Sequence, residues 1–144
     1  MSRAKKTHRA ILAVMLLFPS VQVLQANGDL KTVEWERDWG VRPIHARVTA
    51  NGYMIEFRYR VVDPEKAVIL SDRKDFPYML SQKSRARLSV PYFPTVGFIK
   101  SNRKFLKSDR NYTAMFSNEG IHLLRGDRVR IQVRDQLSPI MVLQ

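Results

Sequence analysis

An all-β fold is predicted by three observations. From Pro43 onward the apolar residues alternate with polar ones instead of recurring at three and four. Gly, Pro, Asn and Asp clusters separate the alternating runs, which number seven or eight. The 144 residues allow one ordinary domain, and 44% hydrophobic content is enough to give it a packed core. Together these point to an immunoglobulin-like β-sandwich of short antiparallel strands after an N-terminal signal helix, with a small β-barrel as the alternative.

The elements are read in chain order. Arg3, Lys5, Lys6 and Arg9 precede the apolar run Ala10 to Phe18, and Pro19, Gln22 and Gln25 interrupt it before Ala26, the layout of a secretory signal peptide over 1–26. An uncleaved anchor is the alternative, although a bilayer span needs roughly 20 apolar residues. Either way the chain is expected to be exported, periplasmic or on the outer face of the inner membrane. Residues 27–42 read as an extended arm carrying Trp35 and Trp39, and 43–144 as the β domain.

Ile44, Ala46 and Val48 alternate with His45, Arg47 and Thr49, then Asn51-Gly52 leads into Tyr53, Ile55, Phe57, Tyr59 and Val61. Asn-Gly favours a type I′ hairpin turn, whose two central residues need positive φ. A two-residue turn would pair Ala50 with Tyr53, Val48 with Ile55, Ala46 with Phe57 and Ile44 with Tyr59 on the buried face. Arg47 would then meet Glu56, and His45 Arg58, on the wet face. Asp63-Pro64-Glu65-Lys66 reads as a cap and first-turn proline opening a short helical turn. Further strands are expected near Phe76 to Ser81, through Leu88 and Val90, over Val96 to Ile99, from Tyr112 to Phe116, around Val129 to Val133, and at Ile140 to Leu143.

Composition excludes much chemistry. No cysteine means no disulfide framework, thiol nucleophile or Cys-ligated metal. Neither His45 nor His122 has a second ligand at metal-binding spacing, and no phosphate loop, nucleophile elbow or paired acid/base carboxylates stand out, so a non-catalytic protein without cofactor is expected. Arg125-Gly126-Asp127 is read as turn chemistry rather than an adhesion motif, and Asn111-Tyr112-Thr113 as a chance glycosylation match.

Trp39-Gly40-Val41, Arg47 through Met54, and Phe57 through the Asp63-Pro64-Glu65-Lys66-Ala67 exit stand out as runs, with weaker ones at Pro77-Tyr78, Val90-Pro91, Val96-Gly97, Phe116 with Asn118, and Gly126-Asp127. In these runs the chain resembles a family of small uncharacterised secreted bacterial β proteins. The resemblance implies export and a β fold, and brings no site residues.

Charge is the remaining signal. The formal charge of the whole chain is +12, and without the first 26 residues 21 basic residues still face 13 acidic ones. Between Ser81 and Arg110, eight Lys/Arg stand against Asp109 alone. Lys100, Arg103, Lys104, Lys107 and Arg110 form a basic loop, and Arg58 and Arg60 share one strand face, making these seven the candidate anion-binding residues. Arg128, Arg130 and Arg134 would join them if the two strands faced the same way. Trp35 and Trp39 in the arm, with Ile140 and Val142 in the tail, are the candidate partner-binding residues, since exposed chain ends can add to a partner's sheet. The expected function is a protein-binding accessory or subunit of an envelope assembly. A binder of anionic polymer or membrane surface, lipid or lipopolysaccharide, is the alternative; nucleic acid ranks lower because of the compartment, and no small-molecule substrate is indicated.

Overall fold

The computed structural model describes residues 22–71, 74–93, 97–98 and 106–144. Helix α1 (Gln22–Trp39) leads into β1 (Val41–Thr49) and β2 (Met54–Val61), followed by the one-turn α2 (Pro64–Ala67). Then come β3 (Tyr78–Ser81), β4 (Arg87–Leu88), β5 (Tyr92–Phe93), β6 (Gly97–Phe98), β7 (Asn111–Ser117), β8 (Arg128–Val133), β9 (Gln136–Leu137) and β10 (Met141–Val142). The described residues are thus mostly β, and every pairing is antiparallel. A first sheet runs β1-β2-β7; a second runs β10-β8-β3-β4, with β9 also on β8; β5 and β6 form a separate ribbon.

The hairpin register matches the alternation over most of its length. Val48 faces Ile55, Arg47 faces Glu56, Ala46 faces Phe57 and His45 faces Arg58. The Tyr53 amide donates to the Ala50 carbonyl at 3.0 Å across Asn51 and Gly52, whose φ values of +53° and +95° suit the I′ turn. Three side chains depart from expectation, the first being Ala50, which is exposed in the turn at φ +50°. Tyr53 is 56% exposed because it completes the turn rather than starting the ladder. Ile44 is 46% exposed, since a bulge between Pro43 and His45 pairs Pro43 with Tyr59 instead. Pro43 has no amide to donate, so the ladder is weakest where the extra residue is inserted.

The extended arm expected over 27–42 is corrected: α1 continues to Trp39 and Ala26 lies inside it. Its reason is the four-residue spacing of Trp35 and Trp39, which puts both rings on one helix face. Trp35 meets Trp39 and Phe57 with ring centroids 5.4 Å apart in each case, and Phe57 stacks on Tyr59 at 5.3 Å. Gly40 ends the helix at φ +62°, its amide donating to the Glu36 carbonyl at 3.1 Å. A Cβ there would lie 2.5 Å from the Asp63 carbonyl oxygen, so the close approach of α1 to α2 requires glycine. On α2, the Asp63 side chain accepts from the amides of Glu65 and Lys66, the expected cap, and Lys66 Nζ donates to the Arg37 carbonyl at the end of α1.

One hydrophobic cluster draws on both sheets and α1, including Trp39, Phe57, Phe116, Met79, Ile131 and Leu143. The sheets also touch through backbone at two places. Ser117 donates to the Ser89 carbonyl at 2.8 Å, and Gln144 exchanges bonds with Ala46 and Val48 of β1 at 2.9 and 3.1 Å. Asn118 is fully buried and ties the hairpin turn to the following loop: its Nδ2 donates to the carbonyls of Gly52 and Leu123, and its Oδ1 accepts from the Leu123 amide.

Candidate anion-binding face

β2 is the central strand of the first sheet, and its inward set Ile55, Phe57, Tyr59 and Val61 is buried. Alternation then turns Glu56, Arg58 and Arg60 outward. Across the ladder Arg58 lies between His45 and Thr113, and Arg60 between Arg42 and Asn111. Like charges directly opposite repel. Each arginine of that pair leans elsewhere: Arg42 onto Glu36 of α1, and Arg60 Nε toward Asn111 Oδ1 at 3.4 Å.

The end of the basic loop is pinned beside this row. Val61 donates to the Arg110 carbonyl and Asp109 to the Val61 carbonyl, both at 2.9 Å. Ser108 Oγ donates to the Val62 carbonyl at 3.0 Å, and the Lys107 amide to the Tyr112 hydroxyl at 2.9 Å. Arg58, Arg60, Lys107 and Arg110 are all exposed and none forms an ion pair among the described residues; Arg58 and Arg60 face outward, while Arg110, level with Val61, and Lys107, whose amide meets Tyr112 opposite Tyr59, follow the inward register at the rim of the same end. Lys100, Arg103 and Lys104 lie outside the described residues.

Farther along the same face the charges are paired. Glu56 Oε2 accepts from Arg47 Nη2 at 2.9 Å, the expected contact, and Oε1 lies 3.1 Å from His45 Nε2. Burial pushes the Glu56 carboxyl up, but the hydrogen bonds from Arg47 and His45 and their charges outweigh it, holding the group below the ordinary carboxylate range. This half of the face is neutralised; the Arg60 half is not.

Other expectations need correction. Arg128 and Arg130 belong to the second sheet, so they do not extend the Arg58/Arg60 row. Arg134 leaves the strand at φ +51° and pairs with Asp75 at 2.6 Å. Trp35 and Trp39 are 2% and 1% exposed and so cannot serve as a partner-binding arm. The tail is also used internally: Val142 is exposed but sits in β10 on β8, Ile140 is half-buried, and Gln144 bonds to β1. Chain-end position suggested exposure, whereas helical spacing of the tryptophans was the signal for burial. Gly126 at φ +91° with Asp127 accepting from the Leu124 amide is the expected turn.

Among the described residues no three His, Asp or Glu cluster to hold a metal, and no helix is long and apolar enough to cross a membrane. No family model, curated protein or solved structure matches the chain.

Proposed function

We propose that this is a non-catalytic exported envelope protein that binds an anionic polymer or membrane surface, lipid or lipopolysaccharide, through the Arg60 end of its first sheet. The supporting observation is that two sequence-distant basic segments meet at this end, Arg58 and Arg60 on the outer face and Lys107 and Arg110 at the adjoining rim beside Asp109, all four exposed and without ion pairs among the described residues. Each basic residue near an anionic surface contributes about 1 kcal/mol, so these four alone correspond to roughly millimolar affinity. Lys100, Arg103 and Lys104, if they join, bring it to the order of 10 µM. On this reading the two sheets are layers of a sandwich whose corners are joined at Ser89/Ser117 and at Gln144, and the chain belongs with the small secreted bacterial β proteins it resembles.

The test is sedimentation with phosphatidylglycerol vesicles and lipopolysaccharide at low and physiological salt. Wild type should bind at low salt and release as salt rises. Replacing Arg58, Arg60, Lys107 and Arg110 together by Gln should weaken binding by about two to three orders of magnitude. Absence of binding at low salt, or binding unaffected by the four substitutions, would refute the proposal. The second reading, a protein-binding accessory, loses the arm and tail as its contacts; the outer face of the second sheet is what favours it.

A further inference from the structure

The second sheet turns Val129, Ile131, Val133, Met79 and Leu88 inward, so its outward set is fixed by alternation. That set holds Arg128, Arg130 and Gln132 on β8, Tyr78 and Leu80 on β3, Arg87 on β4, Leu137 on β9 and Val142 on β10. It contains arginine, tyrosine and aliphatics, and no lysine or carboxylate. The cores of protein interfaces have this composition, with Arg and Tyr enriched and Lys, Glu and Asp depleted. The first sheet's outer face, with Glu56 in its middle, does not.

The register adds geometry. Leu80 pairs with Arg130 on one side and Arg87 on the other, giving a cation, aliphatic, cation row across three strands. Arg87 sits over the Tyr78 ring, its guanidinium carbon 3.6 Å from the centroid, a cation–π contact that uses none of its hydrogen-bond donors. Arg130 Nε is buried with no acceptor among the described residues. Leu137 and Val142 remain 46% and 57% exposed at the margin. At the Arg128 end the face meets a cavity of about 320 Å³ lined by Gln82, Lys83, Gly126, Asp127 and Arg128. Asp127 and Glu119 flank the row at its margins, beside Arg128 and Arg87, but the guanidinium forks of the outward set form no ion pair among the described residues and are complementary to carboxylates, while Leu80, Leu137 and Val142 among them suit the aliphatic side chains of a polypeptide.

We propose that this face docks an acidic polypeptide segment whose carboxylates alternate with aliphatic side chains, which identifies the partner chemistry of the protein-binding reading and rests on it. The probes are a twelve-residue peptide of alternating Glu and Leu, polyglutamate of equal length, and phosphatidylglycerol vesicles. The alternating peptide should bind more tightly than polyglutamate and shift the amide resonances of Tyr78, Leu80, Arg130 and Gln132. Replacing Arg87, Arg128 and Arg130 by Gln should weaken it at least about 10-fold, as expected for lost charge-assisted pairs. If the triple variant does not fold, Arg87→Gln and Arg128→Gln singly, both at exposed positions, should each weaken it about threefold or more. Leu137→Gln with Val142→Gln should remove the preference over polyglutamate. Arg58→Gln with Arg60→Gln should leave peptide binding within about twofold, while weakening the lipopolysaccharide binding proposed above, so the two readings fail separately. Equal losses from both sets of substitutions, no preference for the aliphatic peptide, or vesicles perturbing these amides more strongly than the peptide would overturn the proposal.

Discussion

The two outer sheet faces use the same residue differently. On the first, arginines sit among Glu56, Glu36, His45 and Asn111, and most of the charge is balanced except at the Arg60 end. On the second, arginines sit among Tyr78, Leu80 and Val142, with no carboxylate in the outward set. Strand alternation alone demands polar residues on an outer face, and it does not distinguish a solvated face from a binding one. The distinction lies in the cross-strand neighbours, which only pairing across the sheets defines.

Both faces rest on one core, so the largest expected effect strikes them together. Phe57→Ala should cost about 3–5 kcal/mol in chemical denaturation, and hydrogen exchange should speed at amides of both β2 and β8. Protection lost in β2 alone would show that the sheets do not act as a unit, and the two faces would then be independent. Next, Asn118→Ala should cost roughly 2–3 kcal/mol, since it strands the Gly52 carbonyl and the Leu123 backbone away from water. Gly40→Ala should cost about 1–3 kcal/mol, by positive φ and by collision with the Asp63 carbonyl, loosening α1 on the first sheet while leaving β8 protected.

The smallest effect is Glu56→Gln, about 1 kcal/mol, because the Arg47 partner is half exposed. Its pH dependence is more informative than its size. The folded carboxyl titrates below its ordinary value, so its contribution is complete above the ordinary carboxylate pKa and is lost as pH falls through the depressed folded value. Wild type and Glu56→Gln should therefore differ at neutral pH and converge in acid. A constant difference across that window would show that the balanced half of the face is not held by this carboxylate.

Much of the hairpin was legible because alternation, an Asn-Gly turn and opposite charges at Arg47 and Glu56 all specify one register. The Asp63 cap followed equally from local chemistry. Ile44 was misplaced because a bulge shifts register without changing the alternation around it. α1 was missed because Asn27 and Gly28 weaken helix propensity, and Trp35 compensates through its contacts with Phe57 and with Trp39. At the candidate site, Arg58 and Arg60 were visible as one strand face, and their junction with Lys107 and Arg110 depends on the β2–β7 ladder, between segments some fifty residues apart. The role of Asn118 had no local signal, because its partners are distant backbone groups.

The most direct measurement is the salt dependence of affinity for a linear polyphosphate, comparing wild type with Arg58→Gln/Arg60→Gln and with Arg87→Gln/Arg128→Gln. Each cation that displaces a counterion contributes close to one unit of slope in log K against log salt. Loss of Arg58 and Arg60 should lower the slope by about two, and loss of Arg87 and Arg128 should lower it by less. An unchanged slope in the first variant, or equal reductions in both, would contradict the assignment of anion binding to the Arg60 end of the first sheet.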